Sequence, residues 1–149
     1  MAVLEKTITI NAPVEKVFNF LIKPESWKEI YPKITEIRDI QSLPNGGYRF
    51  SYRFNMFAGM HCEIDTENTD VVVNQRLAYK NTCGVKGIKR IELDETISFS
   101  SEDGKTKLIY RAENKVSVPV IGVLIETFLM KMNERMVKTC LANIKAQME

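Results

Sequence analysis

One histidine, three scattered cysteines and a net charge of +2 leave this 149-residue chain few of the groups on which hydrolases, metal centres and nucleic-acid binders are built. Cys62, Cys83 and Cys140 form no CxxC pair, and their odd number cannot all close within one chain, so reduced, buried thiols are expected. No His/Cys/carboxylate spacing resembles a metal-ligand set, and no Walker pattern offers a phosphate cradle. So small a charge, with no basic run interleaved with aromatics, argues against a nucleic-acid partner. No apolar run is long enough to span a bilayer. A secretory signal needs an apolar block before a cleavage site, whereas Val3 to Ile10 already alternates like a strand, which points to a cytoplasmic protein. Without a Pro/Gly/Ser-rich linker, residues 1–149 read as one domain, long enough to bury a real core.

What the chain does have is alternation. After the first strand, Asn11-Ala12-Pro13 is a helix-start signal in which Asn caps and Pro opens the first turn. Val14, Val17, Phe18 and Leu21 form one apolar stripe; Pro24 ends that helix and starts a second short one, closed by Pro32. From Ile34 the period becomes two, predicting strands near Ile34–Gln41, Tyr48–Phe57, Met60–Glu67, Leu77–Cys83, Ile88–Phe99 and Thr106–Val116. Pro44-Asn45-Gly46-Gly47 and Glu102-Asp103-Gly104 are hairpin-type turns, so neighbouring strands are expected to be antiparallel. From about Pro119 to Met148 the pattern becomes helical, with Ile121, Leu124, Ile125, Phe128, Leu129, Met132, Met136, Cys140 and Ile144 on one broad apolar side. The result is an α+β layered structure. A helix that long over a curved sheet tends to enclose a cavity, so a container for an apolar molecule is expected.

The alternation also assigns faces. Tyr48, Phe50, Tyr52, Phe54 and Met56 share one side of their strand, and Arg49, Ser51, Arg53 and Asn55 the other; Met60, Cys62 and Ile64 oppose His61, Glu63 and Asp65. His61 is therefore expected on the wet face, away from Cys62, which argues against a Cys/His nucleophile on a regular strand. Ile91, Leu93, Ile97 and Phe99, and then Leu108, Tyr110 and Ala112, continue the apolar face. Glu95 breaks that register. It is expected either to turn outward at a bulge, to sit in a structural ion pair, or to be a buried carboxylate of raised pKa that hydrogen-bonds a ligand or moves a proton. Tyr52, Tyr79, Asn81, Tyr110 and Asn114 are the other polar groups assigned inward. They are either core residues with their hydroxyls on backbone or the few convergent groups that orient a ligand. Met56, Met60, Met130, Met132 and Met136 offer either a pliable lining or ordinary packing. Gly122 and the Gly84–Gly87 loop are expected either to border a cavity mouth or to serve simple turn geometry. Lys131, Arg135, Lys138 and Lys145 fall on one side of the closing helix, as a solvated face or as a weak contact for an anionic membrane or acidic protein.

The order of elements, the opening ITINAPVEKVFNFLIKPESWKEIYP and the closing PVIGVLIETFLMKMNERMVKTCLANIK together resemble the helix-grip SRPBCC superfamily, which includes START lipid-transfer domains, the major birch pollen allergen, polyketide cyclases and coenzyme Q-binding proteins. The resemblance spans essentially the whole chain, and its most specific part is the N-terminal pattern through Trp27 and Pro32. It implies a curved antiparallel sheet of about seven strands wrapped around a long C-terminal helix, with two short helices after the first strand. Beginning at its first strand and stopping after its last helix, the chain is expected to be the bare domain. The function expected is binding, transport or sequestration of a lipid, isoprenoid or polycyclic compound, with Tyr52, Phe54, Tyr79, Glu95, Tyr110, Ile125, Phe128 and Met132 as ligand-binding residues and no cofactor or metal. Alternatives are a polyketide cyclase or dehydratase-like enzyme and a protein-interaction module.

Overall fold

Seven stretches of alternating side chains become strands: β1 (Ala2–Ile10), β2 (Ile34–Ser42), β3 (Tyr48–Asn55), β4 (His61–Val72), β5 (Arg76–Val85), β6 (Ile88–Glu102) and β7 (Lys105–Val116). Three helices, α1 (Val14–Leu21), α2 (Ser26–Ile30) and α3 (Gly122–Met148), complete the chain. The computed structural model describes residues 2–55, 59, 61–85, 88–116 and 122–149, and within these the side chains of 2, 84, 85, 88–90, 116, 122–126, 128 and 129 are outside the description.

Every strand pair is antiparallel, and the order β1-β7-β6-β5-β4-β3-β2 makes one curved sheet in which consecutive strands are neighbours except where β1 joins β7. α3 packs on β1, β7 and α2, while α1 lies on β6 and β7. Asp103 and Gly104, with φ of 52° and 78°, make the β6–β7 turn expected from sequence. At the β2–β3 turn Gly46 has φ of 88° and Gly47 must lack a side chain, since a Cβ there would meet Asn68 Cβ at 2.4 Å. Asn68, buried at a register shift in β4, accepts the Tyr48 N–H through Oδ1 at 2.8 Å and so ties that turn to the sheet.

Two sequence expectations are corrected. β4 runs on to Val72, beyond the expected end at Glu67, because its apolar alternation is interrupted by the Asn68 shift while its ladder to β5 continues to Val72 opposite Arg76. Pro13, not Asn11, is the N-cap of α1, in extended conformation and with no side-chain cap; the Asn11 N–H instead donates to Glu149 at the other end of the chain. The bounds expected at Phe57, Met60 and Pro119 fall outside the described residues.

The outer face is a ladder of opposite charges. Arg49 faces Glu67, Ser51 faces Asp65 and Arg53 faces Glu63 across β3 and β4, each pair hydrogen-bonded, with Arg38 of β2 also on Glu63 at 2.5 Å. The Arg38 and Arg53 guanidiniums hold the Glu63 carboxyl below its usual range. These exposed pairs contribute little stability singly, but a one-residue slip would break them together, so they reinforce register. His61 stands exposed at the end of this face, opposite Asn55. His61→Ala is therefore expected to change unfolding free energy by less than about 0.5 kcal/mol in urea denaturation and to leave ligand uptake intact; a larger loss of uptake would contradict the assigned register.

β2 is an edge strand broken twice. Its register to β3 shifts between Thr35 and Arg38 and again between Arg38 and Gln41, with Glu36 and Asp39 held at φ of 50° and 56°.

The inner face carries the core, in which Ile10, Leu21, Leu77, Ile97, Leu108 and Ile144 are almost completely buried. On α3 the buried stripe is Met130, Asn133, Val137, Cys140, Leu141, Ile144 and Met148. Cys140 and Ile144 were expected there. Met132 and Met136 were expected at its centre and instead flank it, half-buried, because the helix turns Val137 toward the sheet.

Candidate functional site

Between the inner face of the sheet, α2 and α3 lies a cavity of about 140 Å3. β3 supplies Phe50, Tyr52 and Phe54 to its wall, and β4 supplies Cys62, Ile64 and Thr66. β5 adds Tyr79, Asn81 and Cys83; β6 adds Ile91, Leu93 and Glu95; β7 adds Asn114. Strand alternation puts these side chains on one face, so the cavity wall is a direct product of period two. Trp27 of α2 and Met132, Asn133 and Met136 of α3 close it.

Glu95 points inward. The ladders on both sides of it run without interruption, Tyr79 to Glu95 and Glu95 to Ala112, so the outward bulge does not occur. Nor is its partner a cation: Oε1 accepts from Asn81 Nδ2 at 2.6 Å and Oε2 accepts from the Tyr110 hydroxyl. Asn81 is itself held by donating to Leu93 O at 3.1 Å and accepting from Thr66 Oγ1 at 2.5 Å. The half-buried carboxylate keeps its remaining accessible surface toward the cavity. Removal from water raises its pKa, while the two donors, Tyr110 and Asn81, work in the opposite direction by favouring the charged form. A carboxyl so balanced can accept a hydrogen bond from a ligand or exchange a proton with it.

Phenols surround it. Burial pushes the hydroxyls of Tyr31, Tyr52, Tyr79 and Tyr110 upward, and the negative charge of Glu95 adds to the shift in each, so all four stay protonated. Tyr79 donates to Leu21 O at 3.4 Å, the backbone-bonded one of its two expected roles, while its side chain also lines the cavity. Tyr110 sits behind Glu95 and does not reach the wall.

Three buried polar atoms in this wall have no hydrogen-bond partner among the described residues: Trp27 Nε1, Asn114 Oδ1 and Asn133 Nδ2. Asn133 lies near enough to the Tyr110 hydroxyl, and Trp27 to that of Tyr79, to favour the phenolates electrostatically, but neither contact has hydrogen-bond geometry. Each orphaned group costs about 1–3 kcal/mol unless something in the cavity meets it. Trp27 and Asn133 escaped the sequence reading. The signal for Asn133 was its place in the Met130, Val137, Cys140 spacing; for Trp27, in a five-residue helix, periodicity offers none.

Cys62 and Cys83, distant in sequence, meet in the same wall, where the Cys62 thiol donates to Cys83; that bond and then burial raise Cys62, while accepting it lowers Cys83. Of the other expected site residues, Tyr52, Phe54 and Met132 line the cavity. The side chains of Ile125 and Phe128, and all of Met56 and Met60, fall outside the described residues, as do the side chains of Gly84–Val85 and all of Lys86–Gly87. The basic residues of α3 divide: Lys145 is engaged by Glu149 and Thr9 O, Lys138 lies exposed in the field of Glu134, and Lys131 and Arg135 line a second depression. Among the described residues no helix is long and apolar enough to cross a membrane.

Solved structures share this architecture at low identity. An aromatase/cyclase from a Streptomyces species is 15% identical with a TM-score of 0.81, covering 98% of this chain and 92% of its own. A START superfamily protein from Mycobacterium smegmatis is 13% identical with a TM-score of 0.72, covering 98% and 96%. The di-domain aromatase/cyclase of the steffimycin biosynthetic pathway is 14% identical with a TM-score of 0.79; 97% of this chain matches 49% of that one. Identities this low speak for the fold alone. No curated protein matches the sequence. The model of the polyketide cyclase / dehydrase and lipid transport family matches residues 1–149, and the chain belongs to that family.

Proposed function

We propose that residues 1–149 form one domain that binds a hydrophobic small molecule carrying oxygen functions, in the cavity beneath α3. The observation that carries this reading is the conjunction of an apolar wall with three unpaired polar atoms and one inward carboxylate. Unpaired Trp27 and Asn133 donors suit a carbonyl or ether oxygen, and Asn114 Oδ1 suits a hydroxyl. The three free cysteines support a reducing, cytoplasmic setting. A second reading, proton transfer during ring closure or dehydration of such a molecule, is favoured by one specific feature: the Glu95 carboxyl has the burial and the hydrogen-bonded poise of an acid–base group. An interaction module would be supported by a filled core.

The test is uptake of the neutral fluorophore N-phenyl-1-naphthylamine, with native mass spectrometry of the purified protein for retained ligand. Wild type is expected to bind the probe, and Ile64→Trp, which places an indole in the cavity, to weaken binding at least about tenfold while keeping the far-ultraviolet dichroism. Folded wild type that takes up no probe, or an Ile64→Trp variant that binds equally well, would overturn the proposal.

A further inference from the structure

The cavity is too small for the whole of a drug-sized ligand. At about 140 Å3 it matches the cavities of about 150 Å3 that accept a single benzene, whereas small-molecule sites commonly run to about 300–1,000 Å3. Any lipid, isoprenoid or polycyclic ligand must extend beyond it. Among the described residues a second depression, about 500 Å3, shares Tyr31, Met132 and Met136 with the cavity as a common wall. Methionine has three rotatable bonds and a soft, adaptable surface, so two methionines make a partition that yields to a ligand.

Beyond the partition the chemistry changes sign. Lys131 and Arg135, one turn apart on α3, stand exposed along this depression with Lys33 on its other side, and no carboxylate is among the described residues lining it. Like charges at i and i+4 disfavour the helix by about 0.2–0.5 kcal/mol, and no described acidic side chain forms an ion pair with either. Inside, among the described residues, no cationic side chain lines the wall and the one charged group is the Glu95 carboxylate, which repels an anion, while the donors present are neutral. The two chambers thus form an axis, apolar with neutral polar groups and one carboxylate at the inner end, cationic at the outer.

We infer that the ligand is an anionic amphiphile that enters with its neutral end first. Its apolar part passes the Met132/Met136 partition into the cavity, and its carboxylate or phosphate stays in the outer chamber on Lys131 and Arg135. This rests on the proposed small-molecule binding and adds the ligand's charge and direction to it. Arg135 presents a planar fork of donors suited to either anion, and Lys131 a point charge beside it.

The experiment compares decanoate with decan-1-ol, equal in chain and different in charge, by displacement of N-phenyl-1-naphthylamine at low salt. Wild type is expected to prefer decanoate about tenfold, with the preference shrinking as salt is added. In Lys131→Gln/Arg135→Gln the preference should fall to about twofold or less with decan-1-ol affinity unchanged, and Arg135→Glu alone should give the same loss on an independent background. Equal affinity of wild type for the two ligands, or a preference that survives both variants, overturns the inference while leaving cavity binding intact. Failure of every neutral ligand to bind defeats the underlying proposal instead. Association with phosphatidylglycerol vesicles that falls in the variants, while decanoate and decan-1-ol bind alike, would assign the basic pair to a membrane surface and would also overturn it.

Discussion

Glu95→Gln is expected to remove a loss of stability that wild type shows as pH rises from the ordinary carboxylate range toward neutrality. The folded pKa of Glu95 is raised, chiefly by burial, above the ordinary carboxylate value. Below that value the carboxyl is protonated in both states, and the stability associated with its neutral form is fully present. As pH climbs through the folded pKa, the unfolded chain has already ionised at no cost while the folded chain must place a charge in the cavity. Stability therefore declines by about 1.4 kcal/mol for each unit of separation between the two pKa values, then levels off. Gln keeps the shape and cannot ionise, so that decline should be absent from its curve. Tyr110→Phe is the informative companion. It removes a donor that favours the charged form, so the decline should persist and move to higher pH. Urea midpoints across the acidic-to-neutral range, with ligand titrations at the same pH values, give both readouts. Superimposable wild-type and Glu95→Gln curves would make Glu95 electrostatically silent and withdraw the acid–base reading.

Truncating Leu108 should produce a large loss of stability. Its side chain is fully buried, flanked on the sheet by Ile8 of β1 and Phe99 of β6, and it lies away from the cavity wall. Leu108→Ala creates a new void among packed neighbours, at a cost of about 3 kcal/mol, which for a chain of this size lowers Tm by roughly 6–12 °C. Phe54 gives the contrast, since one edge of its ring already borders empty space. Phe54→Ala should cost no more than Leu108→Ala, below the about 3–5 kcal/mol usual for a phenylalanine in a filled core, and should shift probe preference toward larger molecules. The Leu108 variant, once folded, should bind as wild type does. A larger loss from Phe54→Ala than from Leu108→Ala would mean that the space beside Phe54 is not a cavity.

Much of this was legible in the sequence because strand alternation is a local signal. Tyr52 and Phe54 had to share a face with each other, and Glu95 stood out as a charge in an apolar register. What stayed hidden depends on pairings between distant strands. That Cys62 and Cys83 share a wall follows from Cys83 pairing with Ile64, and that Tyr110 reaches Glu95 follows from the β6–β7 register; periodicity within one strand cannot supply either. The outer chamber was further out of reach, since Lys33 meets Lys131 and Arg135 only through the angle at which α3 lies over the α2–β2 connection. On α3 itself, a run apolar on several sides blurred the stripe, and Val137 rather than Met136 proved to be the residue turned to the sheet.

A domain that keeps a hollow interior gives up packing contacts and so visits partly opened forms more often than a filled one. In such forms the sheet margin is what a second molecule meets first. The twice-broken β2 answers that hazard: with Glu36 and Asp39 in left-handed conformation and Arg38 between them, its outer amides are out of step with any incoming strand, and its margin is charged. Straightening it, by deleting the extra residues that make the shifts, would give a flatter and better-paired sheet that is also a better template for fibril growth. The irregularity of β2 thus keeps the exposed margin of a hollow domain from acting as a template for a second copy.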